Sequence, residues 1–106
     1  MVRWIQDPAA RQSIAAEILH ALPQWFGLPD STAQYVRTCG SLPFWAWLEE
    51  DGAPSGFIAL QETSPCAAEI LCMGVLPHLH RRGIGAALGR AARDWAIGQG
   101  YEFLQV

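Results

Sequence analysis

Pro77-His78-Leu79-His80-Arg81-Arg82-Gly83-Ile84-Gly85-Ala86 joins two stretches of different patterning, and the fold of the chain turns on that junction. Before it, Glu69 to Leu76 is apolar almost without interruption, as in a central strand covered on both faces. After it, Ile84, Ala87, Leu88, Ala91, Ala92, Trp95 and Ala96 recur at helical spacing while Arg90, Arg93 and Asp94 fall elsewhere, which predicts an amphipathic helix. Gly98 and Gly100 stop that helix, and Tyr101 to Val106 reads as a strand again. A strand, helix, strand unit follows, with parallel strands and a right-handed crossover.

Toward the N-terminus, Pro43 to Glu50 and Phe57 to Glu62 read as strands. Between them Asp51-Gly52-Ala53-Pro54-Ser55-Gly56 is rich in turn residues, which makes the two an antiparallel pair. Thr63-Ser64-Pro65 is read as the loop leading into the central strand. Val2 to Gln6 reads as a short strand. Asp7-Pro8 then offers an N-cap with Pro at the first helical position, opening a helix whose apolar residues Ile14, Ala15, Ile18, Leu19 and Leu22 lie on one face until Pro23 closes it. Gly27-Leu28-Pro29 breaks the chain. Asp30 or Ser31 is expected to cap a second helix through about Cys39, ended by Gly40. No repeat, low-complexity stretch or linker divides residues 1 to 106, so one domain is expected.

A chain of 106 residues, 51% hydrophobic, suits a single core that buries roughly 65% of the unfolded surface. The net charge of -3 argues against a nucleic-acid partner, because phosphate backbones are held by clustered Lys and Arg. Cys39, Cys66 and Cys72 form no CxxC or metal spacing and sit among apolar neighbours, so reduced, buried thiols, no metal site and a cytoplasmic location are expected. The N-terminus does not resemble a signal peptide, and no run approaches ~18 apolar residues, so no membrane partner is expected.

Two glycines in a basic loop that opens a helix make an anion site. Glycine allows a tight turn and close ligand approach, and the free N–H groups of the first helical turn face the anion. Arg81 and Arg82 place charge where a diphosphate would sit. The plainer reading is a sharp strand-to-helix turn beside a solvated basic patch. The spacing is not that of a Walker A loop, which needs Gly-Lys-Ser/Thr, nor of GxGxxG.

His80 to Gly85 resembles the acyl-CoA-binding motif of the GNAT N-acetyltransferase superfamily, Gln/Arg-x-x-Gly-x-Gly/Ala, with His80 in place of the usual Gln or Arg. The resemblance implies an α/β, mixed-sheet GNAT-like acyl-CoA N-acyltransferase fold, here without its C-terminal helix and strands, and acetyl-CoA as cosubstrate. It implies that His80, Arg81, Arg82, Gly83, Ile84, Gly85 and Ala86 cradle the CoA pyrophosphate. In the family the central strand and the strand after the motif helix splay apart, so the backbone around Cys72, Met73, Gly74 and Val75 would align the pantetheine and polarise the acetyl carbonyl.

The chemistry implied is direct attack of a primary amine, from a small molecule or a peptide, on the thioester. That requires a base, and Glu69 is the candidate, with Glu62 as the alternative; a solvated strand-end carboxylate is the competing reading of Glu69. His78 and His80 are either phosphate contacts or solvated. Cys72 reads as a core residue rather than a nucleophile. Trp25, Trp45 and Trp47 either line the acceptor side or pack in the core. The family's acid, a tyrosine in the C-terminal part, has no match in Tyr101. Two further expectations follow: a homodimer covering the open edge at Tyr101 to Val106, and weak turnover. The second functional reading is a non-catalytic CoA-binding or oligomerisation module.

Overall fold

The structure, a computed structural model, describes residues 1–22, 29–79 and 82–105. Strand β1 (Val2–Trp4) is followed by helices α1 (Pro8–His20) and α2 (Pro29–Cys39), strands β2 (Phe44–Leu48), β3 (Pro54–Ser64) and β4 (Ala67–Val75), helix α3 (Ile84–Gly98) and strand β5 (Phe103–Gln105). The strands form one sheet in the order β1-β2-β3-β4-β5. All neighbours are antiparallel except β4 and β5, which run parallel through Ala67↔Phe103, Ala68↔Leu104 and Glu69↔Gln105.

Helices cover both faces of this sheet, so two apolar layers are buried rather than one. On one face Ala15, Ile18, Leu19 and Leu22, from α1 and its end, meet Phe44, Phe57, Ala59 and Cys72, with Cys39 of α2 alongside. Phe44 and Phe57 stack there at 5.3 Å between ring centroids. On the other face Ile84, Leu88 and Ala92 of α3 meet Trp45, Ile58 and Leu60. Trp95 of α3 lies 5.6 Å from Trp45 and 6.3 Å from Trp4, which brings the edge strand β1 into that second layer.

Local signals explain where α1 begins. The Asp7 carboxylate accepts from the Ala10 N–H at 3.3 Å, and Pro8 occupies the first helical position, where a missing N–H costs nothing. Arg11 of α1 is buried yet satisfied: its Nε donates to the Ile5 carbonyl at 2.7 Å, Nη1 donates to the Gly40 carbonyl at 3.2 Å, and the guanidinium sits 5.4 Å from the Trp4 ring centre. One side chain thereby joins the end of β1 to the end of α2.

Several expected boundaries move. Helix α2 starts at Pro29, so Asp30 lies in its first turn, and neither it nor Ser31 is the cap. Strand β3 is longer than expected at both ends. Ser55 and Gly56 extend it because the Ser55 hydroxyl finds a partner in Glu49, and the reversal tightens to Glu49–Ala53, with Gly52 at φ 86°. Thr63 and Ser64 belong to β3 rather than to a loop, because the ladder continues to Ser64↔Ala67 and only Pro65 and Cys66 remain to turn the chain.

Strand β4 is not covered on both faces: Met73, on the α3 side, is 43% exposed. Cys39 and Cys72 are buried as expected, and burial pushes their thiols up, to about 12 and about 11. Cys66 departs from that expectation and is exposed at the hairpin turn. The closing role of Pro23 and the breaker at Gly27-Leu28 lie outside the described residues. No helix among the described residues is long and apolar enough to cross a membrane.

Candidate functional site

At the start of α3, Gly83 stands as N-cap in the left-handed region, at φ 76° and ψ 11°, with no side chain to cap the helix. Such a φ strongly favours glycine. The first helical bond runs from the Ala87 N–H to the Gly83 carbonyl at 3.0 Å, so the amides of Ile84, Gly85 and Ala86 have no acceptor within the helix. A Cβ on Gly83 would meet no atom within 4 Å, so the space beside the turn is open at that position. The turn thus combines free donors, the positive end of a helix dipole and room for a ligand, the fit a pyrophosphate requires.

Met73 and Val75 of β4 stand beside this turn. A Cβ on Gly85 would lie 3.5 Å from Met73 Cε and 3.9 Å from Val75 Cγ2, so the absence of a side chain brings α3 close to the strand. Gly74 is packed on the other face, where a Cβ would come within 2.9 Å of Leu22 Cδ1 and 3.0 Å of Ile18 Cγ2. The β4–β5 ladder ends at Glu69↔Gln105, and beyond it the outer edge of residues 70–74 faces no strand among the described residues. A gap therefore opens along β4 toward the α3 turn. The β3–β4 register shifts between Ala59↔Cys72 and Leu60↔Ile70, which leaves Leu71 as an extra residue and bulges β4 beside that gap.

Glu69 is half-buried at the near end of the gap, where the parallel ladder stops. It pairs across β3 with Gln61. Glu62 is the next residue of β3 but belongs to a different setting: the Tyr101 hydroxyl donates to its carboxylate. Partial burial first, and then that carboxylate, push the Tyr101 phenol above its ordinary value. The sequence offered Glu62 and Tyr101 as separate residues and had no means of pairing them.

Trp45 and Trp47 sit on the α3 side of the sheet, in or against the second layer, with Trp45 buried among Trp4 and Trp95. Packing is the reading the structure supports for Trp45. His78, in a single 3-10 turn (Pro77–Leu79), is exposed. Trp25, His80 and Arg81 lie outside the described residues. Among those described, no group of three or more His, Cys, Asp and Glu is placed to hold a metal ion.

Arg82 brings in a residue that sequence reasoning missed. Its Nη2 donates to Glu49 Oε1 at 3.2 Å, across 33 positions of sequence. Glu49 Oε2 accepts from the Ser55 hydroxyl at 2.7 Å. The Ser55 bond first, and then the Arg82 guanidinium, hold the Glu49 carboxyl below its ordinary range against the opposing effect of partial burial. Trp47, Glu49, His78 and Arg82 also line an open groove of about 1080 Å³ beside the β2–β3 hairpin, whose lining includes neither Glu69 nor Met73.

A family model described as Acetyltransferase (GNAT) family matches residues 15–106. No curated protein matches the sequence. Among solved structures, an aminoglycoside 6'-N-acetyltransferase complexed with coenzyme A superposes with a TM-score of 0.75 at 15% identity, over 95% of this chain and 57% of that one. An IAA acetyltransferase from Bacillus cereus gives 0.70 at 27% identity, over 94% and 59%. A protein from Pyrococcus furiosus described as a putative acetyl transferase gives 0.72 at 18% identity, over 100% and 80%. The chain spans less than two thirds of the length of the first two.

Proposed function

The chain belongs to the acetyltransferase (GNAT) family, and from that premise we propose that it binds acetyl-CoA and directs the acetyl group to a primary amine by direct attack. The observation that carries this reading is the uncapped start of α3 at left-handed Gly83, set close beside Met73 and Val75 of β4. Acetyl-CoA is the cosubstrate and supplies an activated thioester. The amides of Ile84, Gly85 and Ala86 hold its pyrophosphate, with Arg82 and Gly83 shaping the turn and His80 and Arg81 completing it by sequence. The backbone of Met73, Gly74 and Val75 aligns the pantetheine arm.

Glu69 takes a proton from the bound ammonium, so that the free amine attacks the thioester carbonyl, the nitrogen–carbon bond forms, the carbon–sulfur bond breaks and CoA leaves as the thiolate. The acceptor in this proposal is a small-molecule or peptide amine. Since similar structures include aminoglycoside acetyltransferases and this chain carries a net charge of -3, a cationic amine is the first acceptor to test. A cytoplasmic location, and a homodimer formed along the outer edge of β5, are part of the same proposal.

Calorimetric titration with acetyl-CoA tests the cofactor site. Saturable binding by the native chain, abolished in Gly83→Val, is expected, because a branched side chain would occupy the open space beside the turn and resist the left-handed φ. A folded native chain that takes up no acetyl-CoA would refute the proposal. For catalysis, Glu69→Gln is expected to slow CoA release with a cationic amine at least about 100-fold while acetyl-CoA affinity stays unchanged. An unaltered rate would remove Glu69 as the base, and acetyl-CoA binding with no CoA release by the native chain would turn the assignment toward a CoA-binding module without catalysis.

A further inference from the structure

The two ends of the segment that connects β4 to α3 are fastened to two residues of the β2–β3 hairpin, Ser55 and Glu49, which are bonded to each other. At the near end, the Leu76 N–H donates to the Ser55 carbonyl at 2.9 Å. At the far end, Arg82 reaches Glu49 at 3.2 Å, and the other oxygen of that carboxylate is held by the Ser55 hydroxyl at 2.7 Å. Ser55 is 2% exposed, so the anchor is part of the core and not a surface contact. Glu49 is held at its backbone too, its N–H donating to the Ala53 carbonyl at 2.9 Å. The guanidinium therefore meets a carboxylate that two other bonds have already placed.

Arg82 immediately precedes Gly83, so fixing Arg82 fixes where the left-handed turn presents the amides of Ile84 to Ala86. We propose that Glu49 is a positioning residue for the phosphate-binding turn: through Arg82 it holds the start of α3 in its binding geometry before any ligand arrives. This rests on the acetyl-CoA reading of that turn. A turn ordered in advance loses less conformational freedom on binding, which appears as affinity. The pair is partly exposed, so its effect is modest, about two- to five-fold in dissociation constant.

Glu49→Gln keeps the size of the side chain and removes its charge. In the ligand-free protein, the amide of Ala87, which closes the first helical turn onto the Gly83 carbonyl at 3.0 Å, is expected to exchange with deuterium faster in this variant than in the native chain. In calorimetric titration, acetyl-CoA is expected to bind about two- to five-fold more weakly. Arg82→Gln should reproduce both changes, and the double variant should go no further than either single one. Ser55→Ala, which leaves both charges but frees the carboxylate, should move the exchange in the same direction. Unchanged exchange in Glu49→Gln, or strictly additive losses in the double variant, would overturn the proposal. If the native chain takes up no acetyl-CoA while Glu49→Gln still loosens the turn, the cofactor reading fails and the tether stands.

Discussion

Glu49 and Glu69 illustrate how differently two carboxylates in one small sheet come to matter. Glu69 was legible because it opens the apolar run that leads to the Gly83 turn, and local patterning alone put it there. Glu49 was not legible: nothing around it in sequence points to Arg82, and the pair exists only because the β2–β3 hairpin ends beside the start of α3. Its titration has a defined sign. A carboxyl held below its ordinary value of 4.5 stabilises the fold above that value and gives this up as pH falls through the lowered folded pKa. The stability difference between native chain and Glu49→Gln, followed by urea unfolding, is therefore expected to be constant near neutrality and to shrink below pH 4.5. A difference that widened on acidification would contradict the Ser55–Glu49–Arg82 arrangement.

Helix α3 carries its information in spacing, and the spacing tells which substitutions should hurt. Leu88 is fully buried against the sheet, so Leu88→Ala is expected to cost about 2–5 kcal/mol in urea unfolding. Ile97, 64% exposed near the end of the same helix, should tolerate serine within about 0.5 kcal/mol. Equal effects would mean that the helix is rotated from the face described. The periodicity of Ile84, Leu88, Ala92 and Ala96 made this element legible from sequence, as Asp7-Pro8 did the start of α1. Element ends were less so. Ser55, Thr63 and Ser64 look like loop residues until their hydroxyls find Glu49, the Ala67 carbonyl and the Cys66 N–H, and those bonds form only once the hairpins close.

At the scale of the molecule, β1 and β5 are the two edge strands of the sheet. No strand among the described residues pairs with the outer edge of β5, and an unpaired strand edge is a template for another chain. Light scattering is expected to give a dimer at micromolar concentration; a monomer there would remove this edge from consideration as an interface. At the other end of the sheet, β1 is stitched to β2 from its first residue. The Met1 amine donates to the Leu48 carbonyl at 2.9 Å, and the Leu48 N–H returns a bond of the same length to the Met1 carbonyl.

That reciprocal pair, with the register Val2↔Trp47, imposes an order in time. Strands β2, β3 and β4 are joined by short turns and meet partners close in sequence, whereas β1 must wait for a partner more than forty residues away. During synthesis, β1 gains its β2 partner only after both helices have followed it out. Strand β1 is then laid onto a sheet that later residues have begun.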